Sequence, residues 1–341
     1  MDGEVVMRVA AMVVAVAAGA MVCVAQTRAP GDYVMAGAVP PAARRPGKTV
    51  AAAATQKDVP VSRVDESKYT VEANIPYDKY TQTVLDVIYP KGGGPEAKED
   101  LPGVVMFHGG GWIETDKSTM SSFYNRFLAH GFIVCNVEYR MANPGGAIAP
   151  AAVEDALKAT KWFWDHADHY HVDKSRIIVT GGSAGGHLAL MVGMATPEAK
   201  LGPTNPGDFK IAAIVNGYGP TDVPALFTYP GSRGWANQWL PEGTPDRDEI
   251  AKRVSPKTYA RKDMPPLLTV QGANDHTVPV AQNEALVKEI KDDGGDATIY
   301  LAPGASHGFS PRSWPGVEHE IFDVWLPEHH IIPAPTAAPA Q

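Results

Sequence analysis

Ser183 stands between glycines two places away on either side, in Gly181-Gly182-Ser183-Ala184-Gly185, directly after the apolar run Ile177-Ile178-Val179-Thr180. A strand, a turn too tight for side chains and then a helix expose such a hydroxyl at the top of a sheet, and the helix turns its positive end toward any anion formed there. A serine hydroxyl alone is a weak nucleophile; it needs a base, and an acid behind the base, which in this arrangement follow in the order acid, then histidine. Asp275 fits the acid, in Gly272-Ala273-Asn274-Asp275 after the strand-like Leu267-Leu268-Thr269-Val270. His307 fits the base, in Ser306-His307-Gly308-Phe309 after Ala297-Thr298-Ile299-Tyr300-Leu301. Both fall at the carboxyl ends of strands, where open sheets of this type bind ligands.

A third component is His108-Gly109-Gly110-Gly111-Trp112, immediately after Val104 to Phe107. Consecutive glycines let backbone approach a substrate, so the N–H groups of Gly110, Gly111 and Ala184 are expected to converge on a carbonyl oxygen as an oxyanion hole. The chemistry these residues imply is acyl transfer. Ser183 attacks an ester carbonyl, His307 takes the proton, Asp275 steadies the imidazole, and water then hydrolyses the acyl-enzyme. No metal or cofactor is called for. Trp112, Trp235 and Trp239 are candidates for aromatic walls around a sugar or phenolic acyl group, and equally for packing of the core or a lid.

Other polar residues carry weaker signals. His166, Asp168, His169 and His171 are dense enough to suggest a metal, but they fall where a helix exits into a loop, so a solvated loop is the expected reading. Glu138 and Asp222 each follow a strand without holding Asp275's place in the order. His276 adjoins the acid, and His187, four residues beyond the nucleophile, reads as a packing residue or one that supports the site from behind. Met191 and Met194 read as core.

The elements that must position these groups alternate along the chain. Strand-like runs at Val84 to Tyr89, Val104 to Phe107, Phe132 to Val137, Ile177 to Val179, Ile211 to Val215 and Leu267 to Val270 are separated by helical stretches at Thr119 to His130, Pro150 to Asp165, Ala184 to Ala195 and Val280 to Asp292. Alternation of this kind gives an α/β fold, a mainly parallel sheet covered by helices on both faces. Residues 221–263 break the rhythm with Pro, Gly and Trp and are the candidate lid insertion.

From roughly Val71 to Leu326 the chain resembles α/β-hydrolases of the hormone-sensitive-lipase and esterase/lipase-like group. The residues carrying the resemblance are His108-Gly109-Gly110-Gly111-Trp112, Gly181-Gly182-Ser183-Ala184-Gly185-Gly186, Asp275 and His307-Gly308-Phe309, with Glu138-Tyr139-Arg140 and Glu154-Asp155 as further features. The resemblance implies an eight-stranded, mostly parallel sheet and acyl transfer to water without a cofactor. The chain departs from that group in having no recognisable N-terminal helical cap, which makes it more similar to compact exported esterases, including acetyl and feruloyl esterases of plant polysaccharide. Arylformamidases share the plan, so an amidase, or a peptidase on the same residues, is the alternative to a short-acyl or aryl esterase. A non-catalytic binding protein on this fold is a third reading.

The 341 residues are 44% hydrophobic and 20% charged with a net charge of −8, a soluble composition with no basic footprint for nucleic acid. Val9 to Ala25 is uncharged and ends in a small residue, as in a signal peptide cleaved before Gln26, which makes the protein secreted or periplasmic. Asp2 and Glu4 are out of place in such a leader; a start at Met7 gives the positive flank it needs. An uncleaved segment would anchor the chain to a membrane, while a lipoprotein at Cys23 is disfavoured by Val22. Residues 26–62, rich in Ala and Pro, read as a disordered tether, 63–332 as the catalytic domain and 333–341 as a disordered tail. Cys135, in an apolar run, is left with no disulfide partner once Cys23 departs with the leader.

Overall fold

Almost every strand of this protein is apolar on both faces, and both faces are covered. The structure, a computed structural model, describes residues 59–142 and 146–335. Eight strands form one sheet in the order β1-β2-β4-β3-β5-β6-β7-β8. They are β1 (Tyr69–Pro76), β2 (Val84–Pro90), β3 (Leu101–Phe107), β4 (Ile133–Val137), β5 (Val172–Gly182), β6 (Ala213–Gly217), β7 (Leu267–Gly272) and β8 (Ala297–Ala302). Strand β2 pairs antiparallel with both neighbours, and every other pairing is parallel. This is the α/β-hydrolase fold.

Side-chain alternation divides the core in two. Val105, Phe107, Ile177 and Val179 pack on one face with helices α2 (Ala151–Asp165), α3 (Ala184–Met194) and α7 (Val280–Asp292). Val104, Met106 and Ile178 pack on the other with α1 (Ser121–Ala129) and the C-terminal helical run. Such two-sided burial produces the continuous apolar runs seen in the sequence.

The order reverses at β3. Its successor β4 lies on one side and β5 on the other, with Phe107 paired to Gly181 across the β3–β5 register. At such a switch point the loops leaving the two strands open a crevice between them. The glycine loop after β3 and the serine turn after β5 are therefore neighbours by topology.

Besides the short helices within residues 221–263, β1 and the C-terminal helical run were not read from the sequence. In β1 the strand alternation is broken by a register shift between Glu72 and Ile75, with Asn74 at φ 52°. The C-terminal run consists of α8 (Trp314–Glu318), a π-helical stretch (His319–Trp325) and α9 (Leu326–Glu328). Pro315 and Pro327 look like helix breakers but stand in the first turns of α8 and α9, where no backbone donor is needed.

One boundary is corrected. Residues 59–62, assigned by composition to the tether, belong to the folded body. Val59 and Ser62 are buried, the Ser62 amide donates to Asp86 Oδ2 at 2.7 Å, and Lys117 Nζ donates to the Pro60 carbonyl. Prolines and alanines do not exclude order where buried side chains elsewhere need backbone partners. The candidate leader, residues 26–58 of the tether and residues 336–341 of the tail lie outside the described residues.

Candidate active site

Ser183 sits at φ 57°, ψ −121°, a region that a side chain occupies only when the surroundings force it. The forcing is steric. A Cβ on Gly181 would lie 2.5 Å from the Phe107 carbonyl oxygen and from Gly185, and one on Gly185 would lie 2.0 Å from the same carbonyl. The strand, the turn and α3 are thus held against each other with no room for side chains. The Ser183 amide donates to the Gly217 carbonyl at 2.8 Å, and its own carbonyl receives the first helical bond from His187 at 3.0 Å. The hydroxyl is left pointing out of the turn.

His307, after β8, places Nε2 2.9 Å from Ser183 Oγ and Nδ1 2.9 Å from Asp275 Oδ2. A carboxylate only accepts, so the imidazole proton belongs on Nδ1 and Nε2 is free to accept from the serine. Tyr218, directly after β6, packs edge-on against the imidazole, with ring centroids 4.8 Å apart. Burial and the nearby Asp275 charge push its phenol well above the ordinary range, so it remains neutral.

The Asp275 side chain is fully buried. Burial raises its carboxyl, but the bonds to His307, the Val278 amide and Gln271 outweigh it and hold the group below its ordinary value. Oδ1 accepts from the amides of Thr277 at 2.8 Å and Val278 at 3.0 Å, and Oδ2 accepts from Gln271 Nε2 at 3.1 Å besides His307. Every lone-pair direction facing protein is therefore occupied.

Over the serine runs the glycine loop. A Cβ on Gly109 would come within 3.5 Å of Ser183 Cβ. Two of the loop's carbonyls are tied down by side chains. Tyr139 Oη donates to the His108 carbonyl at 2.8 Å, while Thr115 Oγ1 and His108 Nδ1 both reach the Gly109 carbonyl at 2.8 Å. Gly110 and Gly111, at φ 104° and 60°, leave amides that donate to nothing among the described residues. The Ala184 amide, in the first turn of α3, has no carbonyl of its own helix to reach.

The tryptophans divide. Trp112 and Trp239 are fully buried and stacked, with ring centroids 3.9 Å apart, and His187 lies edge-on to both. They are core, which corrects their candidacy as substrate walls. Trp235 is half-buried and packs over Gly111, within 3.0 Å of where a Cβ would be, which leaves it beside the free amides. Both Trp235 and Trp239 belong to α5 (Arg233–Trp239), which lies with α4 (Val223–Leu226), α6 (Arg247–Arg253) and a 3-10 turn (Pro256–Tyr259) within residues 221–263. That segment is anchored: Trp239, Leu240, Ala251 and Val254 are fully buried, and His187 Nε2 donates to the Val254 carbonyl at 2.7 Å.

The remaining candidates lie elsewhere. Glu138 accepts from the Lys117 amide at 2.8 Å, and Asp222 caps α4 and pairs with Lys257. His276 is exposed. His171 meets Asp100 at 3.0 Å, Asp168 meets Lys174 at 2.9 Å and His166 Nδ1 reaches the Trp162 carbonyl at 2.7 Å. Sequence reading missed Tyr218, Gln271, Asn216 and Asn283, whose places near the site follow from burial and pairing and leave no motif.

The chain is similar to several proteins named as esterases. Esterase LipC of Mycobacterium tuberculosis is 27% identical over 61% of this chain and 53% of its own length. Esterase LipQ of the same organism is 25% identical over 69% and 59%. The chain thus spans little more than half the length of these curated relatives. Among solved structures, a truncated carbohydrate esterase from gut microbiota superposes with a TM-score of 0.64 at 24% identity, covering 75% of this chain and 96% of that one. The propionate-bound esterase 2 of Thermogutta terrifontis gives 0.63 at 24%, covering 79% and 97%. A family profile, BD-FAE, matches residues 85–290, and on that match the chain belongs to the BD-FAE family.

Proposed function

We propose that the protein is a serine carboxylic-ester hydrolase acting on short-acyl or aryl esters, either small molecules or esters borne on plant polysaccharide. The observation that carries this reading is the unbroken line from Ser183 Oγ through His307 to Asp275, 2.9 Å at each step, set beneath the free amides of Gly110 and Gly111. The relatives named as esterases support the same class.

In the proposed reaction Ser183 Oγ attacks the ester carbonyl as its proton passes to His307 Nε2. The imidazolium keeps its other N–H on Asp275, which stays ionised. The amides of Gly110, Gly111 and Ala184 hold the tetrahedral oxyanion, and α3 adds the field of its N-terminus. Collapse returns the proton from Nε2 to the departing alcohol and leaves an acyl-serine. Water, deprotonated by the same nitrogen, then releases the acid. Trp235 is the aromatic surface nearest the amides and is proposed to contact the acyl or aryl group.

Hydrolysis of p-nitrophenyl esters from acetate to palmitate, measured beside Ser183→Ala, tests the proposal. Acetate or butyrate is expected to be cleaved, with kcat at least about 10⁴-fold lower in the variant. Equal cleavage by both proteins, or cleavage of anilides in preference to esters, would overturn it.

A further inference from the structure

Behind Asp275 lies a fully buried row of three side-chain amides with no part in the mechanism above. Gln271 is the penultimate residue of β7, Asn216 lies in β6 and Asn283 in α7, and each is fully buried. The Gly219 amide donates to Asn216 Oδ1 at 2.9 Å, and Asn216 Nδ2 donates to Asn283 Oδ1 at 2.9 Å. Asn283 Nδ2 donates to Gln271 Oε1 at 3.0 Å, and Gln271 Nε2 donates to Asp275 Oδ2 at 3.1 Å.

The direction of this row is fixed by backbone groups at several points. Asn216 Oδ1 faces an N–H, so it must be the oxygen. Asn283 Nδ2 also faces the Gly219 carbonyl at 3.0 Å, and Gln271 Nε2 also faces the Val278 carbonyl at 3.0 Å, so both must be nitrogens. No amide can flip without setting two acceptors or two donors against each other. The row is thus a head-to-tail chain of dipoles with its positive end on the carboxylate, each bond polarising the next. It ends on Oδ2, the oxygen that accepts from His307 Nδ1, while Oδ1 is held separately by two backbone amides.

We propose that Gln271 is a positioning residue of the reaction, the working end of an amide relay through Asn283 and Asn216 that aims Asp275 Oδ2 at His307 and keeps it an acceptor. The proposal rests on the esterase reading, because aiming Asp275 matters only if His307 acts as a base. The relay also connects the acid to the nucleophile: a Cβ on Gly186, in the first turn of α3, would meet Asn216 Oδ1 at 2.6 Å. One buried chain therefore sets both the acid and the floor under the serine helix. Among the described residues, the ring and hydrogen-bond contacts of His307 besides Ser183 are with the titratable groups Asp275 and Tyr218, and Gln271 bonds directly to the first.

The test compares the full-length chain with Gln271→Met, similar in length and without the donor, and with Asn283→Leu, which leaves Gln271 in place. The Asp275 carboxyl carbon is followed by NMR against pH, which needs no turnover. Loss of a hydrogen bond to the charged form raises a carboxyl, so the midpoint should move up by about half a unit to one unit in Gln271→Met, and by less in Asn283→Leu. The kcat for p-nitrophenyl acetate should fall about tenfold in Gln271→Met, with KM within about twofold. Circular dichroism establishes which variants are folded, and either one suffices. A folded variant whose Asp275 midpoint stays in place overturns the relay, because mere packing would not move it. If the wild-type chain cleaves no ester, the esterase reading fails, and the Asp275 titration still decides whether the relay acts on the carboxylate.

Discussion

Chemistry in this chain is concentrated in a few side chains whose surroundings leave them no alternative. Ser183, Asp275 and His307 were legible in the sequence because each follows an apolar run and the three stand in a fixed order. The amide relay was not, since single Asn and Gln residues inside regular elements form no pattern until burial brings them together. The tryptophans show the reverse failure. Trp112 and Trp235 flank the same glycine loop and have the same chemistry, yet one is fully buried and the other half-buried, a difference set by how α5 packs. His187 supplies a measurable consequence of burial. Its Nε2–H is committed to the Val254 carbonyl, but burial dominates and holds the imidazole down to about 4 from its ordinary 6.5. Between those values the unfolded chain binds a proton that the folded chain does not, so stability falls as pH drops through this range. The loss amounts to about 3 kcal/mol. Urea unfolding at pH 7.5 and 4.5 should reveal it, and His187→Asn should flatten the difference; an unchanged slope in the variant would place the pH dependence elsewhere.

At the scale of elements, the long helices were readable almost to their ends, whereas the central β5, read at Ile177 to Val179, runs from Val172 to Gly182. Helix α7 was expected over Val280 to Asp292 and is found there. Where two regularities interfered, the reading failed. The bulge in β1 hides its alternation, and α8, the π stretch and α9 follow one another without a constant period. Residues 221–263 looked irregular because their helices are too short to display a repeat, and what fixes them is the apolar contact of Trp239, Leu240, Ala251 and Val254. The tightest joint is that between β3, β5 and α3. Replacing Gly185 by Ala places a methyl 2.0 Å from the Phe107 carbonyl, and neither backbone can retreat without shifting the serine turn. Stability should fall by about 1–3 kcal/mol, and kcat by roughly tenfold to a hundredfold as Ser183 is displaced from His307. Calorimetry and p-nitrophenyl acetate turnover on the same sample check both, and an active, fully stable Gly185→Ala would contradict the joint as described.

For the molecule as a whole, the sheet's reversal at β3 puts the glycine loop beside the serine turn, while parallel β7 and β8 deliver the acid and the imidazole to the same edge. The other side of the sheet depends on a buried charge. Lys117, fully buried, lies 3.1 Å from Asp86 Oδ1 and 2.7 Å from Asn74 Oδ1, and it binds the Pro60 carbonyl, so residues 59–62 close a network that composition assigned to a tether. Lys117→Met strands the Asp86 carboxylate in the interior and should cost about 3–5 kcal/mol, read as a lowered urea midpoint. A loss under about 1 kcal/mol would mean that the pair is dispensable. The central claim is that Ser183 is the nucleophile of an acyl-transfer site. It is tested most directly by treating the protein with diethyl p-nitrophenyl phosphate, following p-nitrophenol release and locating the adduct by peptide mass spectrometry. The expected result is stoichiometric release with the diethylphosphoryl group on Ser183, and neither release nor adduct in His307→Ala; ester hydrolysis that proceeds with Ser183 unlabelled, or with the label on another residue, would contradict it.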